Sequence, residues 1–366
     1  MIPYLLALFW ALPLSVVFRA PNDPVIHGKQ AGTPGATFVL AVVASVPLVL
    51  LLALRRDVGT DYGSYVEIYE AFREGESLFW YEPLYSGLNI FATQFAAAGV
   101  VLVFGMSAIL STVPVYWRIF RSSELPALSL VALFGISYPL LQTNAVRSVI
   151  AIALLFLALP AVWEGRFRRW FLLGIVAGGF HYTALLILPA YWLLRSNLKV
   201  IVALSALCFS IVIAIYRPIA FSFLAIAPYF LPEKYAYYPV QAAANMHELT
   251  FGPGFFWYLV NALLVVAFWK RVGDFGVRAR VVRNSFFLGL LIIIGMYQFI
   301  YVGRIGWFFY IAGVLYWPLV AVRLVGAGRS IFIAGLFFVF LALFLFFSLS
   351  GAHDATPYQW ILDGHA

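Results

Sequence analysis

The stretch Gln142-Thr143-Asn144-Ala145-Val146-Arg147-Ser148 lies between two apolar runs, 125–141 and 149–162. Each run approaches the roughly 20 residues that an α-helix needs to cross hydrocarbon. The stretch therefore reads as a hairpin between two membrane helices, with Arg147, Asn144 and Gln142 at the edge of the apolar layer. A guanidinium there costs several kcal/mol unless it is solvated or paired. An arginine beside a span is ordinarily a topology anchor, so the company of Arg147 decides how it is read.

The rest of the chain repeats the pattern. Of 366 residues, 64% are hydrophobic and 10% charged, against about 25% charged in soluble domains. The mean hydropathy is +0.96. Long unbroken apolar runs exclude a β-barrel, which would show short alternating strands. The fold class is therefore an all-α polytopic membrane protein, one integral membrane domain over 1–366 with about 10–12 transmembrane helices. Its polar parts are the segments 55–82 and 232–254 and the tail 350–366. The run 1–18 lacks a basic flank and a cleavage site and reads as a span. The single cysteine, Cys208, lies within an apolar run and implies neither a disulfide nor a thiolate metal site. The net charge of +8 is spread between spans, which marks topology instead of nucleic-acid binding.

Basic residues cluster at Arg118 and Arg121, at 166–169, at 270–283, and at Arg323 and Arg329. The positive-inside rule places these clusters on the cytoplasmic face. Parity then requires either that 219–231 crosses or that the glycine-broken helix at 178–181 turns back. Arg147, Arg304, the segment 234–238 and the tail land on the opposite face. Arg55 joins them if 84–97 does not cross. Anchors favour the cytoplasmic side, so this convergence points to a site.

Arg55, Arg147, Arg304 and Lys234 suit a diphosphate on a lipid carrier, because guanidinium binds phosphate bidentately at any relevant pH. The bland alternative pairs each arginine with a carboxylate such as Asp57, Asp61 or Glu82. Arg147 has no acid in its own hairpin. Tyr62, Tyr65 and Tyr69 fall on one face of a helix, which reads as a sugar platform or an interfacial aromatic belt. Thr60 or Asp61 is its expected N-cap. His181, inside an apolar helix, is either a satisfied structural group or a general base.

Several chemistries lack their signatures. His247-Glu248 has no second histidine for a zinc protease, Gly135-Ile136-Ser137-Tyr138-Pro139 lacks the last glycine of a nucleophile elbow, and there is no D-x-D or P-loop. His353, Asp354, Asp363 and His365 are too loosely spaced for a metal site, so no metal and no cofactor is expected.

Together these residues resemble the EpsG family of Wzy-like polysaccharide polymerases. The resemblance is carried by Leu54-Arg55 with Val58-Gly59-Thr60-Asp61-Tyr62 and Tyr65, then Asn144-Ala145-Val146-Arg147, then Phe180-His181-Tyr182-Thr183-Ala184-Leu185. It continues through Lys234-Tyr235 with Tyr238, Arg304 before Phe308-Phe309-Tyr310, and Pro357-Tyr358. Ser148 departs from the family's usual glutamine, and Asp57 from a frequent basic residue. The resemblance implies a GT-C-like polymerase architecture with short helices at the periplasmic face, in a multi-pass protein of the bacterial inner membrane. It implies a metal-independent glycosyltransferase that joins undecaprenyl-diphosphate-linked oligosaccharide units, donor and acceptor, into O-antigen, capsule or exopolysaccharide, with a chain-length regulator as a further candidate partner. In that scheme Arg147 and Arg304 hold the leaving diphosphate, and Arg55 is a third candidate. Asp61 or His181 takes the acceptor proton. Tyr62, Tyr65, Asn144, Lys234, Tyr235, Tyr238 and Tyr358 orient substrate. A flippase for lipid-linked sugars needs charges along a path through the membrane, and few lie mid-span. A membrane O-acyltransferase needs its histidine reachable from the cytoplasmic side.

Overall fold

The protein is described from a computed structural model, covering residues 1–17, 33–76, 82–95, 98–216, 218, 219, 222 and 252–361. Its elements in chain order begin with α1 (Ile2–Val17), α2 (Pro34–Ala53), α3 (Tyr62–Arg73), α4 (Pro83–Thr93) and α5 (Gly99–Ser122). Next come α6 (Pro126–Gly135), α7 (Tyr138–Asn144), α8 (Val146–Trp163) and α9 (Phe167–Phe180), followed by a 3-10 segment, Tyr182–Ile187. Then follow α10 (Ala190–Arg195), α11 (Val200–Ile215), α12 (Pro253–Ala267), α13 (Trp269–Gly273) and α14 (Gly276–Gly295), with short turns over 300–310. The chain closes with α15 (Gly313–Ala321) and α16 (Gly326–Leu349).

Among the described residues no named strand forms, and the protein is an all-α polytopic membrane protein. Among the described residues, five stretches are long and apolar enough to cross a membrane: α2, α5, α8, Arg304–Ala321 and α16. Together α6 and α7, bent by 48°, make a sixth. The shorter apolar helices α1, α11 and α12 lie below that length. The least buried of these spans is α16, with 11% of its most apolar 18-residue window inside the protein. It seats one ring, Phe340, against Gly135 of α6, where a Cβ would come within 2.5 Å of the phenylalanine. Small residues let membrane helices approach this way.

The chain forms two compact units, 1–188 with 313–366 and 189–312. In the first, α2, α5 and α8 pack in sequence, with α1 and α6 beside α2 and α16. A proline at its N-terminus starts α2, and the Thr33 hydroxyl accepts from the Ala36 amide at 3.3 Å. The apolar run 125–141 is not one helix. It breaks at Ser137, whose φ of 63° ends α6, and α7 restarts with Pro139 in its first turn.

The helix interrupted at 178–181 does turn back. A Cβ on Gly174 would meet Leu188 and one on Gly178 would meet Leu185, so the 3-10 segment runs antiparallel along α9. The Trp170 indole pins it by donating to the Leu188 carbonyl at 3.1 Å. The turn-back is one of the two arrangements that parity allowed. The other candidate crossing, 219–231, falls almost wholly outside the described residues.

In the second unit, α14 packs against α10, α11 and α12. Arg283 was expected to mark topology, but it is buried: its guanidinium stacks 3.9 Å from the Trp269 ring and donates to the Trp269 carbonyl at 2.7 Å. Next to it, the Asn284 amide donates to the carbonyls of Leu194 at 3.0 Å and Ser196 at 2.9 Å, at the end of α10. Helix-end carbonyls have no intrahelical partner. Asn284→Ala should therefore cost about 2–3 kcal/mol, the sum of lost bonds and orphaned acceptors. A lowered melting temperature in detergent checks this, and an unchanged one rejects the capping role.

Candidate functional site

The expected hairpin at 142–148 is not a loop. Only Ala145, with φ −88° and ψ 51°, separates α7 from α8, and Gln142, Thr143 and Asn144 are buried within α7. The Gln142 amide donates to Ser111 Oγ at 2.8 Å and Thr112 Oγ1 at 2.9 Å, while the Tyr138 hydroxyl donates to the Ser111 carbonyl at 3.0 Å. These bonds hold α7 on α5 and aim the first turn of α8, which carries Arg147.

Arg147 is not alone. Its Nη1 donates to Glu82 Oε2 at 2.8 Å, across 65 residues of sequence. The other oxygen, Oε1, accepts from His181 Nδ1 at 3.2 Å and lies 3.4 Å from the Tyr182 amide. Glu82 is fully buried, whereas the side chains of Arg147 and His181 are 24% and 17% exposed. The three come from separate places. Glu82 occupies the N-cap position of α4, directly before Pro83; Arg147 is on α8; His181 sits in the extended break after α9. The Tyr85 ring lies 5.8 Å from the guanidinium and meets Tyr65 edge-on. A buried carboxylate is tolerable only when paired and hydrogen-bonded, and this one is both. Local reading had found no acid for Arg147, because its partner lies on a different helix.

Arg55 is placed differently. It is buried, with its guanidinium 4.3 Å from the Phe104 ring and one long bond, 3.4 Å, from Nη1 to the Gln142 carbonyl. Its Nε and Nη2 make no hydrogen bond among the described residues. Arg55 lines a small cavity together with Ser107, Ser111, Gln142 and Val146. Burial pushes the Arg55 pKa down from the ordinary arginine value, with Tyr4, Tyr65, Tyr62 and Tyr358 acting the other way. Of the carboxylates weighed as partners, Glu82 thus belongs to Arg147 and Asp57 lies 3.7 Å from Arg56.

The tail folds over this cluster. The Arg56 amide donates to the Gln359 carbonyl at 3.0 Å and the Ile361 amide to the Leu54 carbonyl at 2.9 Å, around an antiparallel bridge between Arg55 and Trp360. The Tyr358 hydroxyl donates to the Leu51 carbonyl at 2.6 Å. Asn144 Nδ2 donates to His353 Nδ1 at 2.9 Å. Gly59, at φ +100°, presses on the Thr143 carbonyl and donates its amide to the Asp354 carbonyl at 2.9 Å.

The helix of Tyr62, Tyr65 and Tyr69 forms as spaced, but its aromatic face turns inward. Tyr65 and Tyr69 are buried, and Tyr62 stacks on Phe104 at 5.1 Å. Asp61 holds the N-cap position without a side-chain capping bond; among the described residues its carboxylate accepts a long bond, 3.4 Å, from the adjacent Thr60 hydroxyl.

The first unit therefore gathers Arg55, Asp61, Tyr62, Tyr65, Asn144, Arg147, His181 and Tyr358 around the α7–α8 break. Arg304 belongs to the second unit, where it opens the turn Arg304–Gly306 before Trp307. Lys234, Tyr235 and Tyr238 lie outside the described residues. Among the described residues, no three His, Cys, Asp or Glu side chains group to hold a metal ion. Glu82 is the residue that sequence reading passed over as a site member. Its one signal was an acid set directly before the proline that starts an apolar helix.

The EpsG family model matches residues 38–360, from within α2 through the tail bridge. The chain belongs to the EpsG family. EpsG membership points to a polymerase-like membrane protein of exopolysaccharide biosynthesis. No curated protein and no solved structure matches the chain.

Proposed function

We propose that this EpsG protein lengthens a polysaccharide at the outer face of the bacterial inner membrane, transferring glycosyl groups from an undecaprenyl-diphosphate-linked donor to an acceptor unit on a second carrier. The observation that carries the reading is the partly exposed pair of Arg147 and His181, brought together by one buried carboxylate. In this reaction an acceptor hydroxyl oxygen bonds to the donor's anomeric carbon. The bond from that carbon to the diphosphate oxygen breaks, undecaprenyl diphosphate leaves with the electron pair, and the hydroxyl proton goes to the base. Charge grows on the diphosphate as the bond breaks. Arg147 is placed to meet it, and a fixed cation there stabilises the transition state more than the ground state. In this reading His181 receives the proton. Asp61, half-buried and held only by a long 3.4 Å bond from the Thr60 hydroxyl among the described residues, is the weaker base of the two.

Reconstitution with a lipid-linked repeat unit tests the reading. Longer chains support it; moved lipid without longer chains would make the protein a transporter, and acylated sugar an acyltransferase. In the same assay His181→Ala should slow elongation by about 10²–10⁴-fold, the usual range for loss of a general base, while the protein stays in the membrane. Elongation at the normal rate would remove His181 from the chemistry.

A further inference from the structure

We infer that Glu82 is a positioning residue with two tasks: it fixes the ring of His181 as a base and holds Arg147 back from the diphosphate until substrate displaces it. The inference rests on the glycosyl-transfer reading and extends it to a residue outside the proposed chemistry.

The first half follows from hydrogen-bond roles. An ionised carboxylate only accepts. Glu82 Oε1 lies 3.2 Å from His181 Nδ1, so Nδ1 carries the hydrogen. In neutral imidazole the other nitrogen, Nε2, then has the lone pair. A partner on one ring nitrogen sets the chemistry of the other. Glu82 thereby selects the tautomer that can accept a proton, and the Tyr182 amide, 3.4 Å from the same oxygen, helps to hold that carboxylate in place.

The second half follows from Arg147. Its Nη1 bond to Glu82 Oε2 is short, 2.8 Å, and the carboxylate end is fully buried. Diphosphate oxygens and carboxylate oxygens want the same fork. An arriving diphosphate must compete with Glu82 for Arg147, so this ion pair weakens ground-state binding. As Arg147 turns toward the diphosphate, Glu82 is left to His181, whose imidazolium it stabilises when the acceptor proton arrives. One carboxylate thus links occupation of the anion site to the strength of the base.

The test uses the full-length protein in lipid nanodiscs, with inorganic pyrophosphate as the probe. Glu82→Gln keeps the shape and removes the charge. It should bind pyrophosphate about tenfold more tightly, within the range of typical coupling between two sites. It should also elongate chains about 100-fold more slowly. A merely structural role would weaken both. The nitrogen NMR spectrum at alkaline pH reads the tautomer directly, and His181→Asn identifies the signals among the five histidines. Unmodified protein should show Nδ1–H; Glu82→Gln should shift toward Nε2–H, and Glu82→Asp should keep Nδ1–H with part of the rate. Unchanged or weaker pyrophosphate binding in Glu82→Gln overturns the inference. So does an Nε2–H signal in the unmodified protein, which needs no variant to fold. If tautomer and binding behave as expected but no chain is lengthened, the role of Glu82 stands and the polymerase reading falls.

Discussion

Replacing Arg147 by alanine is expected to leave single, unpolymerised repeat units and a less stable protein. The two losses have different causes. Function falls because the diphosphate loses its cation. Stability falls because Glu82, fully buried, keeps its charge and loses its 2.8 Å partner; breaking a buried pair from one side costs about 3–5 kcal/mol. A double variant separates them. Arg147→Ala with Glu82→Gln removes both charges, so it should regain most of the lost stability and none of the elongation. Polymer length on a gel, with protein level controlled, reads the first effect, and melting in detergent the second. Arg147→Lys should keep the pair with Glu82 and part of the elongation, because an ammonium supplies charge without the bidentate fork. Full-length polymer from Arg147→Ala would reduce the arginine to a structural partner of Glu82.

The second large effect is expected at Gly59. Its φ of +100° is closed to residues with a Cβ, and a Cβ there would overlap the Thr143 carbonyl and lie 2.8 Å from Asn144 Oδ1. Backbone strain of this kind costs roughly 1–3 kcal/mol, and steric overlap about 1–3 more. The obstacle is backbone, so no rotamer relieves it. Gly59→Ala should lower stability by roughly 2–6 kcal/mol and cut elongation, because the loop, α7 and the tail move together. Gly75 is the control. It also has positive φ, +82°, but open space around its Cβ position. Gly75→Ala should cost only the backbone strain, and equal losses at both positions would reject the crowding argument at Gly59.

The sequence made the fold class legible through period and length. Spans such as α2 and α5 follow from apolar runs, and the turn-back at His181, signalled by Gly178 and Gly179, was one of two options that parity left. The helix of Tyr62, Tyr65 and Tyr69 was also legible in its spacing. Its orientation was not, since period says which residues share a face and not what that face meets. Pairing was least legible. Arg147 and Glu82 are neighbours only because α4 and α8 belong to one packed unit, and no local window contains both. The same holds for Asn144 and His353, which look unrelated at a separation of 209 residues. The break at Ser137 was hidden because an apolar run reads alike whether straight or kinked, and only a positive φ at a serine reveals the bend.

The first unit is also discontinuous, and that sets a timetable for its birth. Leu51 and the hydroxyl that caps its carbonyl, on Tyr358, are 307 residues apart. At ribosomal speeds of about 5–20 residues per second, the first waits about 15–60 s for the second. All of the second unit is made in that interval. Through it, Arg55 and the Gly59 loop lack the tail that covers them. The Arg55 and Gly59 side of the candidate site thus matures last, after α16 is made, and a chain stalled before α16 would carry Arg147, Glu82 and His181 but lack the tail that covers Arg55 and the Gly59 loop.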